Sequence, residues 1–217
     1  MKEEKVWIPS SGLRLEGLMG HHGALSAKGG VICCHPHPQY GGDMDNGVVA
    51  AVAEAAFQEG FCTLRFNFRG VGRSEGSYGQ GIGEQEDVRG AIHYLDSTGK
   101  GSNSPLILVG YSFGAWVGLP VACRDERIRA FVAIAPPVEM YDFSFVKGYR
   151  KQKLILAGSN DPYCPANRLK DWFEQLEEPK SLAILEGADH FLFDSLPFLI
   201  EPVKEFFRNV SCSTVSS

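Results

Sequence analysis

Gly110-Tyr111-Ser112-Phe113-Gly114 constrains the folding of this chain more than any other five residues. It follows the apolar run Leu106-Ile107-Leu108-Val109 and leads into Ala115-Trp116-Val117-Gly118-Leu119. That order predicts a strand, a turn too sharp for ordinary side chains, and then a helix. In such a turn Ser112 takes a strained backbone conformation with its hydroxyl pointing outward. Glycine is required at 110 and 114, where a Cβ would collide with the neighbouring helix or strand. A serine between glycines is common in loops. The weight of this one comes from the strand before it, the helix after it, and an acid and a histidine downstream.

The rest of the chain repeats the alternation. Val6-Trp7-Ile8 and Leu13 to Leu18 read as a strand pair turned at Pro9-Ser10-Ser11-Gly12. Gly30-Val31-Ile32-Cys33-Cys34 is a short apolar strand closed by His35-Pro36-His37-Pro38. A helix is expected from about Asn46, with Asp45 as cap, Val48, Val49, Val52, Ala53 and Ala56 on one face, and Gly60 at its end. Residues 61–68 read as the next strand, followed by a structural turn at Gly70 to Gly76. Val88, Ala91, Ile92 and Leu95 mark a second helix, and Glu84, Glu86 and Asp87 are expected to decorate its first turn. Residues 99–104 read as a loop. Buried strands follow around Ala130 to Ile134, Leu154 to Ala157 and Ser181 to Leu185. An amphipathic helix spans residues 166–176, a short final helix residues 202–207, and residues 211–217 form a disordered tail.

Strands that are apolar throughout and alternate with helices imply an α/β fold: a mostly parallel sheet covered on both faces. With 217 residues and no repeat or linker, residues 1–210 read as one domain. Loops at the carboxyl ends of such strands converge on one edge, where ligands bind. Ser112, the loop from His35 to Gly42 and the loop from Asn160 to Pro165 all belong to that edge.

Composition excludes several function classes. A formal net charge of −5 argues against a nucleic-acid surface, which needs clustered Lys and Arg. No apolar run is long enough to span a bilayer, and the charged start carries no secretory pattern, so a cytoplasmic protein is expected. The six cysteines contain no C-x-x-C and read mostly as buried free thiols. Cys33 and Cys34 should face opposite sides of their sheet. His21-His22 reads as part of a Gly-flanked turn, and His35 as a hydrogen-bonding anchor for its loop, so no metal is expected. Residues 70–76 match neither dinucleotide nor phosphate-loop spacing.

A serine becomes a nucleophile at neutral pH only with a general base, and the base needs an orienting acid. Asp161 follows the strand at Leu154 to Ala157, and His190 follows the last strand. Both loops leave their residue at the active edge. Asp142 and Asp189 are the alternatives for the acid. The oxyanion formed in acyl transfer needs two amide donors. The Phe113 amide suits the first. The second falls to the His35 to Gly42 loop, where Pro36 and Pro38 have no N–H. His37, Gln39 and Tyr40 are left, with His37 favoured and Tyr40 second.

From about Val6 to Phe207 the chain resembles the α/β-hydrolase superfamily. The segments from His35 to Asn46 and from Arg65 to Gly76 are similar to a small, lidless bacterial branch related to the dienelactone hydrolases. The resemblance implies a triad of Ser112, Asp161 and His190, in the chain order usual for that fold. It also aligns His35-Pro36 with the His-Gly pair of many relatives, which makes His37 the second oxyanion donor. The dienelactone hydrolases have a cysteine nucleophile where this chain has Ser112, which argues against a dienelactone substrate.

These readings converge on a serine carboxylesterase that cleaves small-molecule, short-acyl esters without a cofactor. A thioesterase or a small peptidase or amidase would share the machinery, and a catalytically silent binding protein would share the fold. Residues 138–152 are the only insertion where larger relatives carry a cap. Fifteen residues allow one short helix at about 1.5 Å per residue, so a minimal cap is expected.

Overall fold

The eight strands of the computed structural model form one sheet in the order β1-β2-β4-β3-β5-β6-β7-β8. The structure describes residues 1–23, 27–98 and 105–212. The strands are β1 (Glu3–Ser10), β2 (Leu13–Gly20), β3 (Gly30–Cys34), β4 (Cys62–Phe66), β5 (Leu106–Tyr111), β6 (Ile128–Ile134), β7 (Gln152–Gly158) and β8 (Lys180–Leu185). β2 pairs antiparallel with β1 and β4, and β3 to β8 are parallel. Every residue of β3, β4 and β5 is buried, which is why β3 and β5 read as apolar runs, whereas β4 also buries Thr63 and Arg65.

The pleat divides the core into two layers. Ile32, Cys34, Leu64, Leu108, Phe131 and Ile155 face a layer with α2 (Ile82–Ser97), α3 (Phe113–Ala122) and α4 (Ala166–Glu174). Val31, Cys33, Ile107, Val109, Val132 and Leu154 face the other, with α1 (Gly47–Gln58) and α5 (Leu196–Cys212). Cys33 and Cys34 therefore lie on opposite faces, as their adjacency requires. Because β3 lies between β4 and β5, the chain reverses its direction across the sheet there. The crevice beyond the carboxyl ends of β3 and β5 is the place such a sheet offers to a ligand.

Several local expectations need correction. The cap of α1 is Asn46, whose Oδ1 accepts from the Val48 amide at 3.0 Å, whereas Asp45 accepts from Arg65 at 2.7 Å. The guanidinium claims the stronger anion and leaves the neutral amide to cap. Glu84 does sit in the first turn of α2, where it caps the helix start, but it and Asp87 are fully buried, and Asp87 lies beyond that turn. Glu84 accepts from the Gly79 and Gly81 amides at 2.7 Å, and Asp87 accepts from Ser10 and Arg69. The strand expected over 61–68 runs only from Cys62 to Phe66; beyond it the Asn67 amide still donates to Glu16 O of β2, but the Phe68 amide turns to the His35 ring.

The last helix is far longer than 202–207 and runs through Pro202 to Cys212. Leu196, Leu199, Val203, Phe206, Phe207 and Val210 give it one long apolar face, and that burial outweighs the proline. Ser211 and Cys212 thus belong to this helix rather than to a tail. The expected loop at 99–104 and the remainder of the expected tail, 213–217, lie outside the described residues. Among the described residues no helix is long and apolar enough to cross a membrane.

Candidate active site

Ser112 stands between β5 and α3 with φ 53° and ψ −115°, a backbone state costly for a residue with a side chain. Its amide donates to Ile134 O at 2.8 Å, which ties the turn to the neighbouring strand. A Cβ on Gly114 would lie 2.2 Å from Cys34 O, and one on Gly110 2.5 Å from the Ala115 Cα. The turn closes only because both positions are bare. β3 thereby lies directly against the start of α3.

The loop after β3 is pinned from inside. His35 is fully buried; its Nδ1–H donates to Pro36 O at 2.7 Å and its Nε2 accepts from the Phe68 amide at 3.0 Å. Both ring nitrogens are thus committed, and burial lowers the pKa to about 4, so the ring is neutral. Asn67 Oδ1 accepts from the Met44 amide, and Arg65 donates to Met44 O while gripping Glu3. The Arg65 to Gly76 motif therefore supplies braces for the loop that faces Ser112. His37 packs its ring against Phe113, Tyr78 and Tyr40, with centroids 4.6, 5.3 and 4.7 Å away.

Of the candidate oxyanion donors, the Phe113 and His37 amides make no hydrogen bond to protein among the described residues. The other candidates are spent. The Tyr40 amide donates to His37 O at 3.1 Å and the Gln39 amide to His37 Nδ1 at 3.2 Å.

The opposite wall comes from the loops after β7 and β8. A Cβ on Gly158 would lie 2.1 Å from Ala188 O, so the two loops touch backbone to backbone. The Asn160 amide donates to Ala188 O at 2.9 Å. Asp161 is buried; its Oδ1 accepts from the Tyr163 and Cys164 amides at 2.8 and 2.9 Å. Its Oδ2 accepts from His190 Nδ1–H at 2.7 Å, which fixes the tautomer and leaves Nε2 as an acceptor. Ser112 Oγ donates to that Nε2 at 2.8 Å. The structure thus brings Ser112, His190 and Asp161 into one relay. Asp142 is engaged with Ser144, and Asp189 accepts from the Phe191 and Leu192 amides.

Tyr111 escaped the sequence reading. Its buried hydroxyl donates to His190 O at 2.9 Å and lies 3.2 Å from Phe191 O. The residue before the serine therefore holds the backbone of the histidine. A tyrosine inside an otherwise aliphatic buried strand was the available signal, because a buried phenol needs an acceptor.

Cys164, three residues beyond Asp161, is fully buried, and burial pushes its thiol well above the ordinary range. His21 Nδ1 accepts from the Gly23 amide, and the His22 ring stacks on Phe57 at 4.0 Å. A concavity of about 420 Å³ between β7, β8 and α5 lies at the amino ends of those strands, away from Ser112. The site itself is an open cleft, since residues 138–152 contribute only a single 3-10 turn, Ser144–Val146.

Residues 26–153 match the family described as serine aminopeptidase, S33, and residues 118–215 match one described as PhoPQ-activated pathogenicity-related protein. The uncharacterized protein RP471 of Rickettsia prowazekii is 40% identical over 169 residues, 74% of this chain and 71% of that protein. An alpha-beta serine hydrolase homologue from Coxiella burnetii superposes with a TM-score of 0.86 at 32% identity, covering 94% of this chain and 97% of that one. XC6422 from Xanthomonas campestris, described as an α/β serine hydrolase without lid, gives a TM-score of 0.85 at 29% identity, covering 96% and 95%.

Proposed function

This chain belongs to the α/β-hydrolase superfamily, in the family described as serine aminopeptidase, S33, and from that premise we propose that it is a serine carboxylesterase for short-acyl esters. The observation that carries the reading is the relay from Ser112 through His190 to Asp161, at 2.8 and 2.7 Å, beside two uncommitted amides. Ser112 Oγ attacks the ester carbonyl as His190 Nε2 takes its proton. Asp161 stabilises the imidazolium, and the Phe113 and His37 amides receive the oxyanion. Collapse expels the alkoxide, which takes the proton from Nε2. Water then gives a proton to Nε2 and attacks the acyl-enzyme, which releases the acid and frees Ser112. These steps need no metal or organic cofactor.

The preference for short acyl groups rests on the missing cap. Met140 is exposed, Tyr141 and Phe145 are half-buried, and Phe143 is buried in the core. Little apolar wall is left to enclose a long chain, and each buried methylene would contribute only about 0.8 kcal/mol where it found cover. A cytoplasmic location belongs to the same reading, supported by Cys33, Cys34 and Cys164, which are buried and outside any disulfide.

A fluorophosphonate probe should label the wild-type protein at Ser112 and leave Ser112→Ala unlabelled. Over a p-nitrophenyl ester series, kcat/KM should peak between acetyl and butyryl; a maximum at lauroyl or palmitoyl overturns the open-site reading. Faster turnover of matched thioesters or aminoacyl amides would move the assignment to a thioesterase or a peptidase.

A further inference from the structure

The apolar surface beside His190 has no part in the relay. The Tyr163 ring stands edge-on to the imidazole with centroids 4.8 Å apart, and the Phe191 ring lies 6.0 Å away at 81°. Tyr163 is 43% exposed and Phe191 53%, and the exposed Phe193 lies nearly parallel to Phe191 at 6.2 Å. Single exposed aromatics are ordinary, but two beside one imidazole, with a third stacked on one of them, make a patch.

The patch is held in place. The Tyr163 amide donates to Asp161, and its carbonyl accepts from the Glu139 amide at 3.2 Å. The Phe191 amide donates to Asp189 at 2.9 Å, and its carbonyl faces the Tyr111 hydroxyl. Both backbones are therefore fixed by the same bonds that fix Asp161 and His190.

Proton transfer says what must arrive here. His190 Nε2 delivers its proton to the leaving oxygen, which must come within about 2.6–3.2 Å of that nitrogen. The carbon group on that oxygen then emerges beside the imidazole, along the faces of Tyr163 and Phe191. A methyl or ethyl group would leave those faces in water, whereas a flat ring can cover them. The charges nearby do not favour an anion. Arg168 is paired with Glu139 at 3.0 Å, and Asp189 adds a carboxylate next to His190.

Resting on the esterase reading, we propose that Tyr163 and Phe191 form the leaving-group site and that it takes an uncharged aromatic alcohol. The substrates are then short-acyl esters of aryl or arylalkyl alcohols. The site recognises the alcohol half of the ester, while the missing cap governs the acyl half.

Benzyl acetate and ethyl acetate test this, because their alcohols are close in acidity and differ in the ring. The wild-type kcat/KM should favour benzyl acetate by about tenfold or more, the scale of burying one aromatic ring. The double variant Tyr163→Ala/Phe191→Ala should bring the benzyl-to-ethyl ratio down to about twofold. Tyr163→Phe keeps the face and should keep the ratio. A wild-type ratio near one, or a ratio unchanged in the double variant, overturns the leaving-group site. If Ser112 still takes the fluorophosphonate label in that case, the esterase reading survives. If neither ester is hydrolysed and the probe does not label, both fall.

Discussion

On one side of Ser112, β3, β5 and the Arg65 to Gly76 segment hold the turn with buried groups, and the histidine among them, His35, is neutral. On the other side, the loops after β7 and β8 hold a buried carboxylate, an imidazole and a set of half-exposed aromatic rings. The first wall is closed by sterics, by the Met44 and Phe68 amides bonded to the neutral Asn67 and His35, and by the Arg65–Glu3 ion pair. The second is closed at its base by Gly158 against Ala188, but above that its geometry depends on the Asp161–His190 bond. One wall is therefore preformed whatever the state of the relay. In the proposed mechanism the other has to move a proton, and it carries the exposed Tyr163 and Phe191 rings.

The largest expected effect lies on the second wall. Asp161→Asn should lower kcat by roughly 10⁴-fold, through loss of the imidazole tautomer that leaves Nε2 free to accept. Stability should change far less, since an amide oxygen still accepts from Tyr163 and Cys164. Near-normal esterase activity in Asp161→Asn, with Asp142→Asn or Asp189→Asn inactive, would break the comparison at its charged side.

Acid should act on the first wall. His35 prefers the neutral form in the folded protein, so the unfolded chain takes up its proton first as pH falls. The stability it contributes is complete above about pH 6.5 and is lost as pH drops to about 4. That window of roughly 2.5 pH units corresponds to about 3 kcal/mol at most. Urea midpoints between pH 7 and 4, read beside an NMR titration of the His35 ring, check it. An imidazole that titrates near 6.5 would show that the loop is not held as described.

Gly114→Ala tests the steric closure. A methyl group 2.2 Å from Cys34 O must push β3 and α3 apart, at a cost of about 1–3 kcal/mol or somewhat more. Labelling by the fluorophosphonate should slow by more than the loss of folded protein accounts for, because the Phe113 amide moves with the helix. An unchanged melting temperature and labelling rate would contradict the close approach.

The smallest effect should come from Tyr111→Phe, which links the two walls. The ring stays packed while the His190 and Phe191 carbonyls lose a donor, for a net cost of about 0.5–1.5 kcal/mol. We expect kcat to fall by about tenfold with KM within twofold of wild type. A change confined to KM would assign Tyr111 to substrate contact rather than to positioning.

Much of the fold was legible from local pattern. The limits of β3, the face of α2 and the alternation that produces a parallel sheet are all short-range, because apolar period and turn residues act within a few positions. Pro202 misled for the same reason: as a local breaker it argued for a short helix, and only packing against α1 and the sheet sustains α5. Asp87 misled likewise, since an acidic residue near a helix start reads as a dipole partner until the Ser10 and Arg69 it meets are known. For the site, Ser112, Asp161 and His190 could be named because each follows a strand, and parallel strands end on one edge.

By itself the sequence determined a strand–turn–helix around Ser112, because the glycines at 110 and 114 allow a close turn that a Cβ there would forbid, and it determined which edge of the sheet would carry the candidate site. Tertiary structure alone decided which of three aspartates meets His190, since Asp142 and Asp189 are taken up by nearby amides and a hydroxyl. It also decided which amides of the His35 to Gly42 loop are left over, because those of Gln39 and Tyr40 are consumed by the turn that His37 begins. The same is true of the link from Tyr111 to His190, 79 residues apart in the chain. Local sterics can be read along a chain, but the allocation of a limited set of hydrogen-bond partners is settled only when distant segments compete for them in space.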